Sequence, residues 1–246
     1  MKMADILVTG GSGKLGEELK KLIDARFLPS EDLDIREESQ VEQIFSKYKP
    51  DICYHLAAET DLNKCEKEKQ HTFNINVKGT SHVVDQCIKH DTYLVYPSTD
   101  YVFDGKKGNY SEEDYPNPVN YYALTKLLGE YEVKRVKKHL ITRGTMKERG
   151  KWRHPKAPKD MYESLLHHDE YAKLMLALVN KSATGLYHLG NDKYSVYEWA
   201  SDFDPEVEPT TLEKIPFPLP KDISLDTSKL ENTIDVKKFL HGENDA

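Results

Sequence analysis

Asp5-Ile-Leu-Val-Thr-Gly-Gly-Ser-Gly-Lys-Leu-Gly16 opens the chain and decides its fold. Residues 5–9 read as a buried strand, and residues 14–25 as a helix. Between them Gly10, Gly13 and Gly16 form a GxxGxxG spacing. Such a loop turns tightly, lets a pyrophosphate approach the backbone and packs the helix closely on the sheet. The helix N-terminus then offers free N–H groups and the positive end of its dipole to phosphates. Three spaced glycines also serve ordinary turns. Their place directly after a strand and before a helix favours dinucleotide binding over that reading.

Outward from this loop, strand and helix patterns alternate. Residues 26–28 make a short strand. Residues 37–48 read as a helix, with Val41, Ile44, Phe45 and Tyr48 at helical spacing, stopped by Pro50. A strand at 51–56, a helix at 71–89, a strand at 92–96 ended by Pro97, a long helix at 119–138 and a strand at 140–142 follow. This alternation implies βαβ units and places the chain in the α/β class, as a Rossmann-type doubly wound parallel sheet. After Arg143 the rhythm breaks. Residues 146–160 are basic and irregular, a helix at 168–180 and a strand at 186–189 follow, then a helix at 195–203, and residues 204–222 are proline-rich. The expected organisation is a Rossmann domain over 1–143. A smaller substrate lobe over 144–246 packs on it and includes a late sheet strand.

Bulk properties narrow the class. A chain of 246 residues with 38% hydrophobic and 31% charged residues suits one α/β domain with a small lobe. A net charge of −7 and a pI near 5.8 argue against a nucleic-acid or membrane-surface binder. No apolar run approaches the roughly 20 residues that cross a bilayer. A strand pattern beginning at Asp5 leaves no room for a signal peptide. Cys53, Cys65 and Cys87 lack metal-ligand spacing and are expected to pack as small apolar residues in a reducing cytoplasm.

Two segments carry candidate chemistry. Tyr122-Ala-Leu-Thr-Lys126 is a YxxxK, whose i, i+4 spacing puts phenol and ammonium on one helix face. A tyrosine titrates near 10, and bringing it to neutrality takes roughly 4 kcal/mol, which a close Lys⁺ and a nicotinamide cation supply in a partly dry site. The tyrosine then donates a proton to a carbonyl as hydride arrives. One or two chance YxxxK matches are expected in a chain with 15 tyrosines, so position after a strand and loop gives this one its weight. The second segment, Pro97-Ser-Thr-Asp-Tyr-Val-Phe-Asp-Gly105, follows a strand whose C-terminal end faces the ligand crevice of a doubly wound sheet. Thr99 is the candidate hydroxyl, with Ser98 and Asp100 beside it; a capped turn is the structural alternative. At the end of the second strand stands Leu28-Pro29-Ser30 with no carboxylate, which points to NADP, with NAD admitted; Arg26 and Arg36 are candidates for a 2′-phosphate.

On these residues the chain resembles the dTDP-4-dehydrorhamnose reductase family of extended short-chain dehydrogenases. The matching stretches are GGSGKLG at 10–16, LDI at 33–35, AAETDLNKCE at 57–66, NINVKGT at 74–80, STDYVFDG at 98–105 and NYYALTKLLGE at 120–130. Weaker echoes are HHDEYA at 167–172, GLYHLG at 185–190 and LDTSKL at 225–230. The resemblance implies an NAD(P)H-dependent reduction of the 4-keto group of a nucleotide-linked 6-deoxy sugar, within dTDP-rhamnose biosynthesis. It implies Tyr122 as proton donor, Lys126 on the nicotinamide ribose, and Thr99 on the substrate oxygen with Asp100 adjacent. Gly10, Ser12, Gly13, Lys14, Leu15 and Gly16 would line the pyrophosphate. Asp34 and Ile35 would flank adenine. Leu56, Ala57, Ala58 and Thr60 would border the cofactor, and Asn76 would support the site. It implies a nucleotide-sugar partner and leaves a homodimer open.

The chain also departs from the pattern. Arg143-Gly-Thr-Met146 replaces the family's Arg-Thr-Ser-Trp, so an aromatic substrate contact is expected to be missing. The stretch from 143 to 167 is short and holds Lys147, Arg149, Lys151, Arg153, His154, Lys156 and Lys159. It reads either as a solvated basic loop or as a diphosphate clamp. His167 and His168 beside Asp169 read as a helix start rather than a metal site. Regulatory subunits of methionine adenosyltransferase share this pattern, and a non-catalytic NADP-binding subunit is the alternative.

Overall fold

The computed structural model describes residues 4–150, 152 and 154–241. Its centre is a six-stranded sheet: β1 (Ile6–Thr9), β2 (Arg26–Leu28), β3 (Ile52–His55), β4 (Tyr93–Pro97), β5 (His139–Arg143) and β6 (Gly185–His188). The order across it is β6-β5-β4-β3-β1-β2, and every pairing is parallel. The chain leaves β1 toward β2 and returns to β3 on the other side. The strand order therefore reverses beside β1, and a crevice opens at the strands' C-terminal ends.

Successive side chains of each strand enter opposite cores, as buried parallel strands require. Val8, Tyr54, Val95 and Leu140 join one face with Leu15 and Leu19 of α1 (Lys14–Lys20) and with Leu174 and Leu178. Leu7, Cys53, Leu94, Tyr96 and Ile141 join the other with Val41 and Phe45 of α2 (Glu38–Tyr48). Cys53, Cys65 and Cys87 are all buried thiols.

The helix expected over 71–89 is three pieces. A short α3 (Leu62–Lys67) precedes α4 (Lys69–Phe73), a π-helical turn (Asn74–Gly79) and α5 (Thr80–His90). The turn packs against α6 (Tyr121–Val133). That helix starts later than the hydrophobic pattern suggested, because the Asn120 side chain accepts the Ala123 N–H at 2.9 Å and caps it. It also stops before Lys134, so the basic run lies beyond it. The first helix likewise ends at Lys20, ahead of Ala25.

Beyond Arg143 the chain returns β6 and α7 (His168–Asn180) to the sheet, α7 packing on α1. The remainder forms a third core around Phe103, Tyr110, Met161, Val196, Ile223 and Leu225, with α8 (Val196–Ser201) on its edge. Two segments expected to be irregular are tied together here: Lys156–Pro158 pairs in parallel with Glu208–Thr210. Among the described residues no helix is long and apolar enough to cross a membrane.

Candidate active site

Gly10 leaves β1 at φ +65°, and a Cβ there would fall 2.6 Å from the Ala57 nitrogen. At Gly16 a Cβ would meet the Gly11 carbonyl oxygen at 2.5 Å. The first glycine lets the loop touch the segment after β3, and the last lets α1 fold back on the loop. Gly13 is the N-cap of α1, and no side chain caps it. Its first-turn N–H groups therefore keep their capacity for an anion.

This loop floors a cavity of about 630 Å³. Gly10, Gly13, Lys14, Leu15 and Gly16 line it from β1 and α1; Leu56, Ala58 and Thr60 line it after β3; Thr99, Tyr122 and Lys126 line it from β4 and α6. Ser12, Asp34, Ile35, Ala57, Asn76 and Asp100 are not in its lining. Ser12 is exposed beside the loop. Asp34 is held by Arg36, whose guanidinium keeps its carboxyl below the usual range. Ile35 is buried under Gly79, and its carbonyl accepts from His82 Nδ1 at 2.9 Å. Ala57 lies against Gly10. Asn76 is buried in the π-helical turn. Its amide accepts the Glu59 N–H at 2.8 Å and donates to the Glu59 carbonyl at 3.0 Å and to Thr125 Oγ1 at 3.1 Å, fixing the cavity wall to α6. Arg26 stacks on the Tyr48 ring, 4.4 Å from its centroid.

The Tyr122–Lys126 face meets the end of β4. Lys126 Nζ donates to the Pro97 carbonyl at 2.8 Å and sits 3.9 Å from the Tyr96 ring centroid. Burial pulls its ammonium down to about 7, a drop that the Glu130 carboxylate partly offsets. Burial raises the Tyr122 phenol, and hydrogen bonding with Thr99 works against that rise. Tyr122 thus holds its proton at neutral pH. Thr99 Oγ1 accepts the Tyr101 N–H at 3.2 Å, and its hydroxyl faces Asp100 Oδ1 at 3.4 Å.

Sequence reasoning missed the supports beneath this site. His55 bridges Thr9 Oγ1 at 2.7 Å and Thr80 Oγ1 at 3.0 Å, and burial together with the Lys126 charge holds it down to about 3, so the imidazole is neutral. Arg143 and Glu130 form a bidentate pair, Nε to Oε1 at 2.9 Å and Nη2 to Oε2 at 2.7 Å, with Ser98 Oγ donating to Oε1 at 2.6 Å. Polar residues inside the apolar strand patterns at 51–56 and 140–143 were the available signal.

From the chain beyond Arg143 come Met146, Lys147, Trp152, His154 and Trp199. Met146 stands where the family pattern has its tryptophan, and two indoles from other segments also line the cavity, Trp152 and Trp199, edge to face at 6.4 Å. Arg149 pairs with Asp169 and Glu170 at the start of α7, and Lys156 with Glu208, so much of the basic run is neutralised locally. Lys151 and Arg153 lie outside the described residues. His167 opens α7, its N–H given to Glu170 at 2.8 Å, and His168 Nδ1 donates to the Lys147 carbonyl at 2.8 Å. A second depression of about 1340 Å³, bordered by residues 107–109 and 222–240, holds none of the candidate residues.

Residues 3–147 match the model of the RmlD substrate binding domain. A dTDP-4-dehydrorhamnose reductase of Aggregatibacter actinomycetemcomitans is 36% identical over 135 residues, 52% of this chain and 46% of that protein. Methionine adenosyltransferase 2 subunit beta of Bos taurus is 31% identical over 140 residues, 52% of this chain and 42% of that protein. In these alignments the chain spans about half the length of the curated relatives it matches. Among solved structures, dTDP-4-dehydrorhamnose reductase from Bacillus anthracis, in complex with NADP, superposes with a TM-score of 0.88 at 27% identity, over 94% of this chain and 93% of that one. The glycine loop, the Thr99 turn and the Tyr122–Lys126 face all fall within the matched segment, and the chain belongs to the RmlD substrate binding domain family, that of the dTDP-4-dehydrorhamnose reductases.

Proposed function

We propose that the protein is an NADPH-dependent reductase of the 4-keto group of a nucleotide-linked deoxy sugar, NADH serving as an alternative. The observation that carries this reading is the convergence of Thr99, Tyr122 and Lys126 on a cavity floored by the glycine loop. Gly13, at the cavity floor and at the start of α1 with no side chain capping it, suits a dinucleotide pyrophosphate. When bound, the cofactor supplies a hydride. The loop at 10–16 holds its phosphates, and Lys126 holds the nicotinamide ribose. Tyr122 releases its proton to the carbonyl oxygen as that oxygen becomes a hydroxyl, while Thr99 donates a hydrogen bond to the same atom. In this reading residues 1–143 bind the cofactor and residues 144–246 the sugar nucleotide, with Trp152 and Trp199 available to stack on it and Lys147 to meet its phosphates.

A regulatory, non-catalytic subunit is the second reading, favoured by the likeness to methionine adenosyltransferase 2 subunit beta. Turnover separates the two. With NADPH and a dTDP-linked 4-keto-6-deoxy sugar, the wild type should consume NADPH. Tyr122→Phe should bind NADPH but lose about 10²–10⁴-fold in rate, the usual weight of a general acid. Thr99→Val should lose less, since the proton donor stays. Tight NADPH binding without turnover of any such sugar would make the regulatory reading the better one.

A further inference from the structure

Tyr96 lies near the end of β4, almost wholly buried, and its phenol oxygen has no hydrogen-bond partner among the described residues. The Thr80 hydroxyl beside it gives its proton to the Asn76 carbonyl at 2.8 Å. An idle phenol in the core directs attention to the ring. That ring reaches α6 at two places. A Cβ on Gly129 would fall 2.3 Å from the phenol oxygen, so a glycine is needed where the tip of the ring arrives. One turn earlier on the same helix, Lys126 Nζ sits over the ring, 3.9 Å from its centroid, and donates to the Pro97 carbonyl at 2.8 Å. Lys126 is itself buried. The His55 imidazole, tied to Thr9 and Thr80, stacks near the ring, with centroids 5.8 Å apart and an interplanar angle of 29°.

Burial disfavours a lysine's charged form, whereas an aromatic face attracts a cation, most strongly where water is excluded. The other titratable groups around Lys126 and the ring are the Glu130 carboxylate and the Tyr122 phenol on α6 and the neutral His55 imidazole on β3. An ammonium has three N–H donors. Pro97 takes one, and the ring holds the head in place without using up the others, which leaves a donor for the cavity that Lys126 lines. We propose that Tyr96 is a positioning residue for cofactor binding: its buried ring face holds the Lys126 ammonium against the Pro97 carbonyl and keeps it charged and aimed at the nicotinamide ribose. The inference rests on the proposed cofactor site for the role of Lys126, but not for the pairing of ring and ammonium.

Fluorination of the ring tests this, because each fluorine weakens the negative potential of the face while the ring stays in place. The phenol makes no hydrogen bond, so the series starts from Tyr96→Phe and continues with trifluorinated and pentafluorinated phenylalanine at the same position. Lys126 titrates at about 7, so its ammonium is present below that pH and lost above it. Loss of a desolvated cation–π contact lowers the ratio of charged to neutral amine about tenfold, which moves the midpoint toward acid by about 1 pH unit. A group half charged at pH 7 then becomes about one-tenth charged. The affinity for NADP⁺, which survives acid, should fall up to about fivefold at pH 7 and recover near pH 5, where Lys126 is charged again.

Nitrogen-15 NMR of the lysine Nζ atoms, with Lys126→Met to assign the resonance, follows the charge without cofactor or turnover. The midpoint should step toward acid with fluorine count, while the melting temperature should not follow that order. A midpoint that ignores fluorination, or an affinity loss that acid does not recover, would overturn the inference, since a ring that merely fills space would behave in that way. A midpoint that moves while NADP⁺ affinity stays constant at pH 7 would leave the pairing of ring and ammonium established and sink the assignment of Lys126 to the ribose.

Discussion

Replacing Glu130 by Gln tests how the helix of Tyr122 and Lys126 is held to the sheet. Glu130 stands one turn beyond Lys126 on α6, fully buried, and its two oxygens receive Arg143 from β5 and Ser98 from the end of β4. Arg143 is itself only 2% exposed and lies over the Phe103 ring. Gln keeps the shape and can still accept from Ser98, but it leaves a guanidinium buried without an anion. Removing one partner of such a pair costs about 3–5 kcal/mol. For a chain of this size each kcal/mol lowers the melting temperature by about 2–4 °C, so a fall of roughly 6–20 °C is expected. Arg143→Met should cost a similar amount by stranding the carboxylate. Glu130→Met with Arg143→Met removes both charges and should be more stable than either single variant, because a buried pair can be exchanged for apolar side chains at little net cost. Denaturant unfolding of the four proteins measures the cycle. Because Ser98 precedes Thr99, kcat should fall further than KM rises. Single variants within 1 kcal/mol of wild type, or a double variant as costly as the sum of the singles, would refute the reasoning.

The glycine loop and cofactor preference give two further tests. Gly13→Val puts a branched side chain where the loop meets the cavity, so NADPH affinity measured by fluorescence titration should drop at least tenfold; equal affinity in variant and wild type would remove the loop from the site. NADPH should bind at least as tightly as NADH, since Ser30 follows β2 and the Asp34 carboxylate is already engaged by Arg36. A clear preference for NADH in the same titration would mean that a carboxylate reaches the ribose after all.

What the sequence determined by itself is local. A strand that ends in GxxGxxG and re-enters as a helix can be read from Asp5–Gly16, because glycine spacing and hydrophobic period act over a few residues. The i, i+4 spacing of Tyr122 and Lys126 is equally local, and so is the turn after β4 that presents Thr99. Helix ends were less legible: an Asn120 side chain set the start of α6, and the π-helical turn at Asn74–Gly79 interrupts a pattern that reads as one helix. The tertiary structure alone decided which polar residues share a buried space. Glu130 meets Arg143 across 13 residues, and Asn76 meets Thr125 across 49. Nothing in their sequence neighbourhoods encodes these meetings, because a charge becomes costly, and therefore consequential, only once the fold has removed water from around it.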